Sequence, residues 1–223
     1  MKLYHFLSEK WALEALEKQV IKVSKYDDLN DPFELLAMSL KDKVSRKVMV
    51  ENRRKINRTL RLLCFSKRWK SPLLWGHYAD KHTGIALEFE IPDSDVHPIT
   101  YHKDRSSLDL HALMDKRDEA AKLEMLKMYT TKYSDWSYEE EYRVQFTEEE
   151  FLSKGYHDFV TIGNHLNITG LVLGPLNSTS RDTIERVLPA SKEVTVTTTR
   201  IAFKSFDVVH QKLKPPYKLV GKG

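Results

Sequence analysis

Two glutamates and an arginine at alternate positions are the residues with the clearest potential for chemistry. They lie in the stretch WSYEEEYRVQF, whose apolar ending predicts a β-strand. Residues two apart share a face of a strand, so Glu139, Glu141 and Arg143 are expected to line one side of it. The guanidinium can keep a neighbouring carboxylate ionised. Two interpretations are open: a working pair of carboxylates oriented by Arg143, or an ion-pair ladder at an exposed sheet edge.

Aromatic and imidazole side chains form a second group of candidates. The stretch LLWGHYADKHTG holds Trp75, His77 and Tyr78, in a helix whose start is indicated by the Ser-Pro pair at 71–72. Such a cluster either packs in the core or offers a platform on which a planar ring stacks. His5 lies in the short predicted strand KLYHF. It is either a hydrogen-bonded strand histidine or a group that positions a ligand hydroxyl.

A strongly basic segment is the third candidate. Residues 41–70 contain twelve Lys/Arg and two acids, a balance of +10, which leaves −6 for the rest of a chain whose net charge is +4. Such asymmetry indicates a polyanionic partner or a phosphate-bearing ligand. The alternative is a helix over 41–61 with a solvated basic face. The candidate nucleic-acid contacts are Arg53, Arg54, Lys55, Arg58, Lys67, Arg68 and Lys70.

The elements that must position these residues form an α+β pattern. At least eight short strands are interspersed irregularly with helices, including a long amphipathic helix over 108–132. This arrangement predicts a single domain over 1–223, with a mixed or antiparallel sheet and flanking helices. In NDPFE, Asn30 and Asp31 are expected to cap a turn, and Phe33 to anchor it in the core.

Several classes of protein are excluded or disfavoured by what the sequence lacks. It has no apolar run long enough to span a bilayer and no signal-peptide pattern, and its single cysteine, Cys64, allows no internal disulfide. A cytoplasmic protein without membrane contact is therefore expected. Glycine-rich phosphate loops, zinc helices and nucleophile elbows are absent. His77 and His82 have no third ligand that can be named, so no metal is expected.

The same stretches occur in the same order in a known family. LYHFLSE, LNDPFE, CFSKRWKSPLLWGHYADKHTGIALEFE, WSYEEEYR and LVLGP resemble a widespread bacterial family catalogued as domain of unknown function 2971. The resemblance runs from residue 3 to about residue 209. Its most specific parts are residues 30–33, 74–79 and 136–143. The family name implies no activity.

A second resemblance implies a reaction. A strand histidine, a mid-chain aromatic segment and a late strand glutamate follow one another in an order similar to ADP-ribosyltransferases, which use NAD. The resemblance implies that His5 contacts a ribose of NAD, that Tyr78 stacks near nicotinamide and that Glu141 binds the nicotinamide ribose. Glu139 matches the first glutamate of a Glu-x-Glu pair, which aids the acceptor.

The expected function is therefore an NAD-utilising, ADP-ribosyltransferase-like enzyme with an unknown nucleic-acid or protein acceptor, in a bacterial toxin or phage-defence setting. Glu141, Glu139 and Arg143 are the expected catalytic group, and His5, Tyr78, Trp75 and His77 the expected cofactor-binding group. A module that binds nucleic acid or another partner through residues 41–70, without catalysis, is the alternative.

Overall fold

A nine-stranded mixed sheet forms the centre of the computed structural model, which describes residues 1–105, 119–163 and 165–222. The strands are β1 Lys2–Leu7, β2 Val20–Val23, β3 Leu60–Ser66, β4 Ile85–Glu90, β5 His97–Pro98, β6 Thr100–His102, β7 Thr131–Tyr133, β8 Glu141–Thr147, β9 Leu152–Lys154, β10 His157–Thr161, β11 Asn167–Leu173, β12 Glu193–Ile201, β13 Val208–His210 and β14 Tyr217–Val220. The helices are α1 Glu9–Lys18, α2 Lys43–Thr59, α3 Pro72–Tyr78, α4 Glu119–Tyr129 and α5 Arg181–Val187.

The strand order of the main sheet is β13-β12-β11-β4-β1-β3-β8-β5, with β14 also paired to β12. The β11–β12 pair is parallel, whereas β1, β3, β4 and β8 pair antiparallel with their neighbours. Two small sheets, β2-β10-β9 and β6-β7, complete the architecture. The predicted class, an α+β fold with a mixed sheet and flanking helices, is confirmed.

The two faces of the main sheet pack against different layers. On one face, Leu3, Phe89 and Leu171 join Leu16 of α1 in the largest apolar cluster. The other face carries two smaller clusters, one around Trp75 of α3 and one between α2 and β3. Since successive strand residues point to opposite faces, each strand contributes side chains to both layers.

Helix α2 is shorter than the basic segment suggested. Asp42 caps it, because its carboxylate accepts a hydrogen bond from the backbone N–H of Ser45 at 2.7 Å, and the helix covers Lys43–Thr59 rather than 41–61. Of the helix predicted over 108–132, residues 119–129 are helical and 131–133 form β7, whereas 108–118 lie outside the described residues.

The anchor of the NDPFE turn lies two residues away from its predicted place. Phe33 is 58 % exposed and lies beside the guanidinium of Arg105, so its prediction as a core residue is wrong. Leu35 is fully buried instead, in the cluster between α2 and β3. Asp31 behaves as expected, because its side chain accepts a hydrogen bond from the Phe33 backbone N–H at 2.9 Å.

Helix α3 is tied to the sheet by an unusual turn. Asp80, Lys81 and His82 all have positive φ angles, of 45°, 53° and 76°, a conformation that costs free energy for residues other than glycine. The turn brings the His82 N–H to the carbonyl of Trp75 at 3.0 Å. It thereby holds α3 against the start of β4. No helix in the described part of the chain is both long and apolar enough to cross a membrane.

Candidate active site

A split between two central strands creates a pocket. Strands β1 and β3 are in register at Tyr4 and Ser66. Further along β3, Leu62 instead exchanges two backbone hydrogen bonds of 3.0 Å with Ser24, which follows β2. The gap between the diverging strands opens into a pocket with a volume of about 400 Å³. This volume lies within the range of small-ligand sites.

His5 occupies the point where the strands separate. Its Nδ1 lies 2.7 Å from the carbonyl oxygen of Cys64. A carbonyl oxygen can only accept a hydrogen bond, so Nδ1 carries the proton and Nε2 is left as an acceptor. Burial lowers the pKa of His5, which favours the neutral ring. A neutral imidazole with a free acceptor nitrogen is suited to positioning a ligand hydroxyl.

The pocket collects side chains that the sequence distributes over most of the chain. Candidates that line it are His5, His77, Tyr78, Glu139, Glu141 and Arg143. Trp75 lies elsewhere: it is fully buried, its indole N–H donates to the Trp69 carbonyl, and it packs edge-on against Phe6 at 5.0 Å. The geometry therefore gives Trp75 a place in the core beneath the pocket rather than in its lining.

Arg143 is the centre of a buried ion cluster. Its guanidinium contacts Glu34 through two bonds, of 2.8 and 2.6 Å, and Glu141 through two more, of 2.6 and 3.2 Å. The fifth N–H donates to the carbonyl of Tyr129 at 3.0 Å. All five donors of the guanidinium are thus engaged by the protein itself. Arg143 orients carboxylates and has no N–H left over for a ligand.

Lys132 holds the second side of the same cluster. Its Nζ lies 2.6 Å from Glu139, 3.2 Å from Glu141 and 3.8 Å from Glu34. Burial alone would lower the pKa of Lys132, but the charges of Glu141 and Glu139 outweigh it and raise that pKa. Lys132 therefore stays cationic and joins the two carboxylates that sequence spacing had paired.

The backbone conformation between Glu139 and Glu141 differs from the predicted strand. Glu139 ends a 3-10 turn, Ser134–Glu139, and Glu140 has a positive φ of 43°, so the strand begins only at Glu141. The prediction of an extended chain from Glu139 onward is wrong. Glu139 and Glu141 still meet, because both turn toward Lys132.

The exposed-edge interpretation does not fit the structure. Strand β8 lies between β3 and β5, and the side chains of Glu139 and Glu141 are buried. The middle glutamate, Glu140, points away and pairs with Arg68 at the surface. The three consecutive glutamates therefore divide into two that face the pocket and one that does not.

The two pocket carboxylates have different proton chemistry. Glu141 accepts from Arg143 and Lys132 and also interacts with the Cys64 thiol. Burial opposes its ionisation, but Arg143 and Lys132 prevail and lower the pKa of Glu141 to about 2. Burial raises the pKa of Glu139. The two charges therefore favour the ionised form of Glu141, whereas burial favours the protonated form of Glu139.

Tyr78 connects Glu139 to the loop that begins NDPFE. Its hydroxyl donates to Glu139 and accepts from the side-chain amide of Asn30, at 2.6 Å from Nδ2 to Oη. Burial, followed by the charge of Glu139, raises the pKa of Tyr78, so it remains a neutral donor. Next to it, His77 is exposed, with Nδ1 3.0 Å from the hydroxyl of Tyr138.

Two members of the cluster were missed by sequence reasoning. Glu34 forms two hydrogen bonds with Arg143. It could have been proposed from the sequence, because it is an acidic residue within the specific motif NDPFE. Lys132 had no local signal, because it reaches the site only through the pairing of β7 with β6.

Some basic side chains of residues 41–70 are engaged in contacts within the protein. Arg53 pairs with Asp27, Arg68 pairs with Glu140, and Lys67 lies over the Tyr142 ring at 5.7 Å. Of the seven predicted contacts, Arg54, Lys55, Arg58 and Lys70 are exposed and make no ion pair with another described residue. Two of the seven predicted contacts, Arg53 and Arg68, are thus already paired with acidic side chains of the protein. No group of three or more His, Cys, Asp or Glu in the described ranges is arranged to hold a metal.

Comparisons with known proteins add a family match and no activity. No curated protein and no solved structure matches the chain. The matched residues include most of α3, all of β4 and the segment with Glu139, Glu141 and Arg143, and so cover two of the three most specific motifs. Residues 30–33 lie outside the match. Residues 74–144 match the family described as "Protein of unknown function (DUF2971)".

Proposed function

We propose that the protein is a cytoplasmic transferase that cleaves NAD at the bond between nicotinamide and ribose and transfers ADP-ribose to an acceptor. The observation that carries the proposal is the convergence of His5, Tyr78, Glu139 and Glu141 on one pocket at the split between β1 and β3. Nothing in a packed core requires a neutral histidine, a tyrosine and two carboxylates at one place.

The charge balance of the buried cluster favours a positively charged ligand group. Glu34, Glu139 and Glu141 face Lys132 and Arg143, which leaves one surplus negative charge when all five groups are ionised. A buried surplus charge must hold a proton or face a cation. Nicotinamide in NAD is cationic, and bond cleavage moves positive charge onto the ribose, as in glycoside hydrolysis.

The proposed reaction assigns a separate task to each group. The bond between the ribose carbon and nicotinamide breaks, and its electron pair leaves with neutral nicotinamide. The acceptor's oxygen or nitrogen forms a bond to that carbon and gives its proton to Glu139. Glu141 supplies the permanent negative charge that stabilises the ribose cation. His5 accepts a hydrogen bond from a ribose hydroxyl, and Tyr78 holds Glu139 in place.

The test uses NAD labelled in its adenosine part, incubated with the protein with and without cell extract. We expect nicotinamide release, measured by chromatography, and transfer of the label to a macromolecular fraction. Digestion of that fraction with nuclease or protease then identifies the acceptor class. Absence of nicotinamide release in the presence of extract would contradict the proposal.

A second candidate is binding of nucleic acid through α2 without catalysis. The observation that favours it is the adjacency of Arg54, Lys55 and Arg58, which are exposed and make no ion pair within the described residues. Replacing all three with Gln should lower the slope of log affinity against log salt, since fewer counterions are released. An unchanged slope would leave α2 as a solvated helix.

A further inference from the structure

A hairpin outside the pocket carries two aromatic side chains that are almost fully exposed. It joins β12 to β13, and the backbone N–H of Ala202 donates to the backbone carbonyl of Asp207 at 2.9 Å to close the turn. Phe203 and Phe206, within this turn, are 91 % and 97 % exposed. Leu213, just beyond β13, is 91 % exposed. Two large apolar side chains exposed together in one turn are typical of an interaction site.

Two cations lie beside these rings, and two more follow β13 further along the chain. The guanidinium of Arg200 lies 4.6 Å from the centre of the Phe203 ring, and Lys204 separates the two phenylalanines. Lys212 and Lys214 are exposed beside Leu213. Asp207 is the acidic residue of the segment 200–214, so the hairpin surface is strongly positive.

The hairpin is continuous with the last part of the basic segment. The N–H of Val208 donates to the carbonyl of Lys70 at 2.9 Å, and the ring of His210 packs against Trp69 at 4.9 Å. Lys70 is exposed and lies two residues before the start of α3, whose last turn lines the pocket. A basic and aromatic surface therefore runs from the hairpin toward α3.

We propose that this hairpin surface binds single-stranded nucleic acid. Exposed aromatic rings stack on unpaired bases, and flanking lysines and arginines contact the phosphates, without a requirement for sequence. Insertion into a lipid surface fits less well, because Lys204 lies between the phenylalanines and Arg200 lies over one ring. Burying these cations among lipid chains would cost free energy. The binding needs no NAD cleavage and so goes beyond the proposed function.

The test measures fluorescence anisotropy of labelled single-stranded DNA and RNA, longer than the ~4–16-nucleotide footprint of one module, without NAD. Phe203→Ala combined with Phe206→Ala should weaken binding at least about tenfold, because stacking on two rings is lost. Both side chains are exposed, so the variant is expected to fold. Tyr156→Ala, a 98 % exposed aromatic on the small sheet, is the matched control and should bind like the parent.

A second variant tests the charges. Replacing Lys204, Lys212 and Lys214 with Gln should lower the slope of log affinity against log salt by about 2, since each phosphate contact in a single strand contributes about 0.7. In a protein with Arg54, Lys55 and Arg58 replaced by Gln, removal of the two phenylalanines should weaken single-strand binding by the same factor. The reason is that these three residues lie on α2 and not on the hairpin.

Three results would overturn the proposal. One is the lack of single-strand binding by the parent at low salt. Another is binding by the double phenylalanine variant equal to that of the parent. The third is a protein that binds phosphatidylserine vesicles through the two phenylalanines. In that case the double phenylalanine variant would lose affinity for the vesicles and keep its affinity for nucleic acid.

Discussion

Arg143 and Glu34, 109 positions apart, form a buried two-pronged ion pair, with Nη1–Oε2 at 2.8 Å and Nη2–Oε1 at 2.6 Å. The pair joins the NDPFE turn to the strand that carries Glu141. Because Asn30 of the same turn also bonds Tyr78, the turn is fixed to the pocket at two points. The site is therefore built by contacts between distant segments rather than by one motif.

Arg143 should be essential for stability. Arg143→Met leaves three buried carboxylates facing Lys132 alone, and breaking a buried ion pair costs about 3–5 kcal/mol. The free energy of unfolding in urea measures the loss. Arg68→Met is the matched control, since the exposed pair with Glu140 contributes only about 0–1 kcal/mol. Equal unfolding free energies for the two variants would contradict the buried cluster.

Lys132 should control how stability depends on pH. Lys132→Met removes a positive charge from Glu139 and Glu141, so their pKa values in the folded variant rise. Carboxyls with raised folded pKa values favour the folded state when protonated, so the variant should regain stability relative to the parent as pH falls from about 7 to about 5. Urea unfolding at both pH values tests this. If the difference in unfolding free energy between parent and variant is the same at both pH values, Lys132 does not face these carboxylates.

Glu141 should contribute to unfolding in acid. Its pKa is lowered to about 2 in the folded protein, against about 4.3 in the unfolded chain. A lowered folded pKa gives stability that is present above the unfolded value and lost as pH falls from about 4 toward about 2. Glu141→Gln should therefore flatten the dependence of unfolding free energy on pH in that window, by a few kcal/mol. Parallel curves for parent and variant would refute the assignment.

Trp75 should act through packing rather than ligand contact. Trp75→Phe removes the hydrogen bond to the buried Trp69 carbonyl and leaves a cavity, at a cost of about 1–3 kcal/mol. The affinity of the folded variant for NAD, measured by calorimetry, should match that of the parent. A large loss of affinity with unchanged stability would return Trp75 to the ligand-binding group.

Local patterns predicted the parts of the structure that local forces determine. Alternation predicted the strands that carry His5 and Arg143, and the Ser-Pro pair predicted the start of α3. The turn at Glu140 was missed, because three identical glutamates give no sign of a left-handed residue. Lys132 and Glu34 were missed as well, because only long-range strand pairing and loop packing bring them to Arg143.

The most direct test of the central claim compares the three consecutive glutamates in nicotinamide release from NAD. Glu139→Gln and Glu141→Gln should each lower the rate by about two to three orders of magnitude, because one loses a proton acceptor and the other a fixed charge. Affinity for NAD should change far less. Glu140→Gln, which faces Arg68 at the surface, should release nicotinamide like the parent. Parental rates in folded Glu139→Gln, or an equal loss in all three variants, would contradict the account.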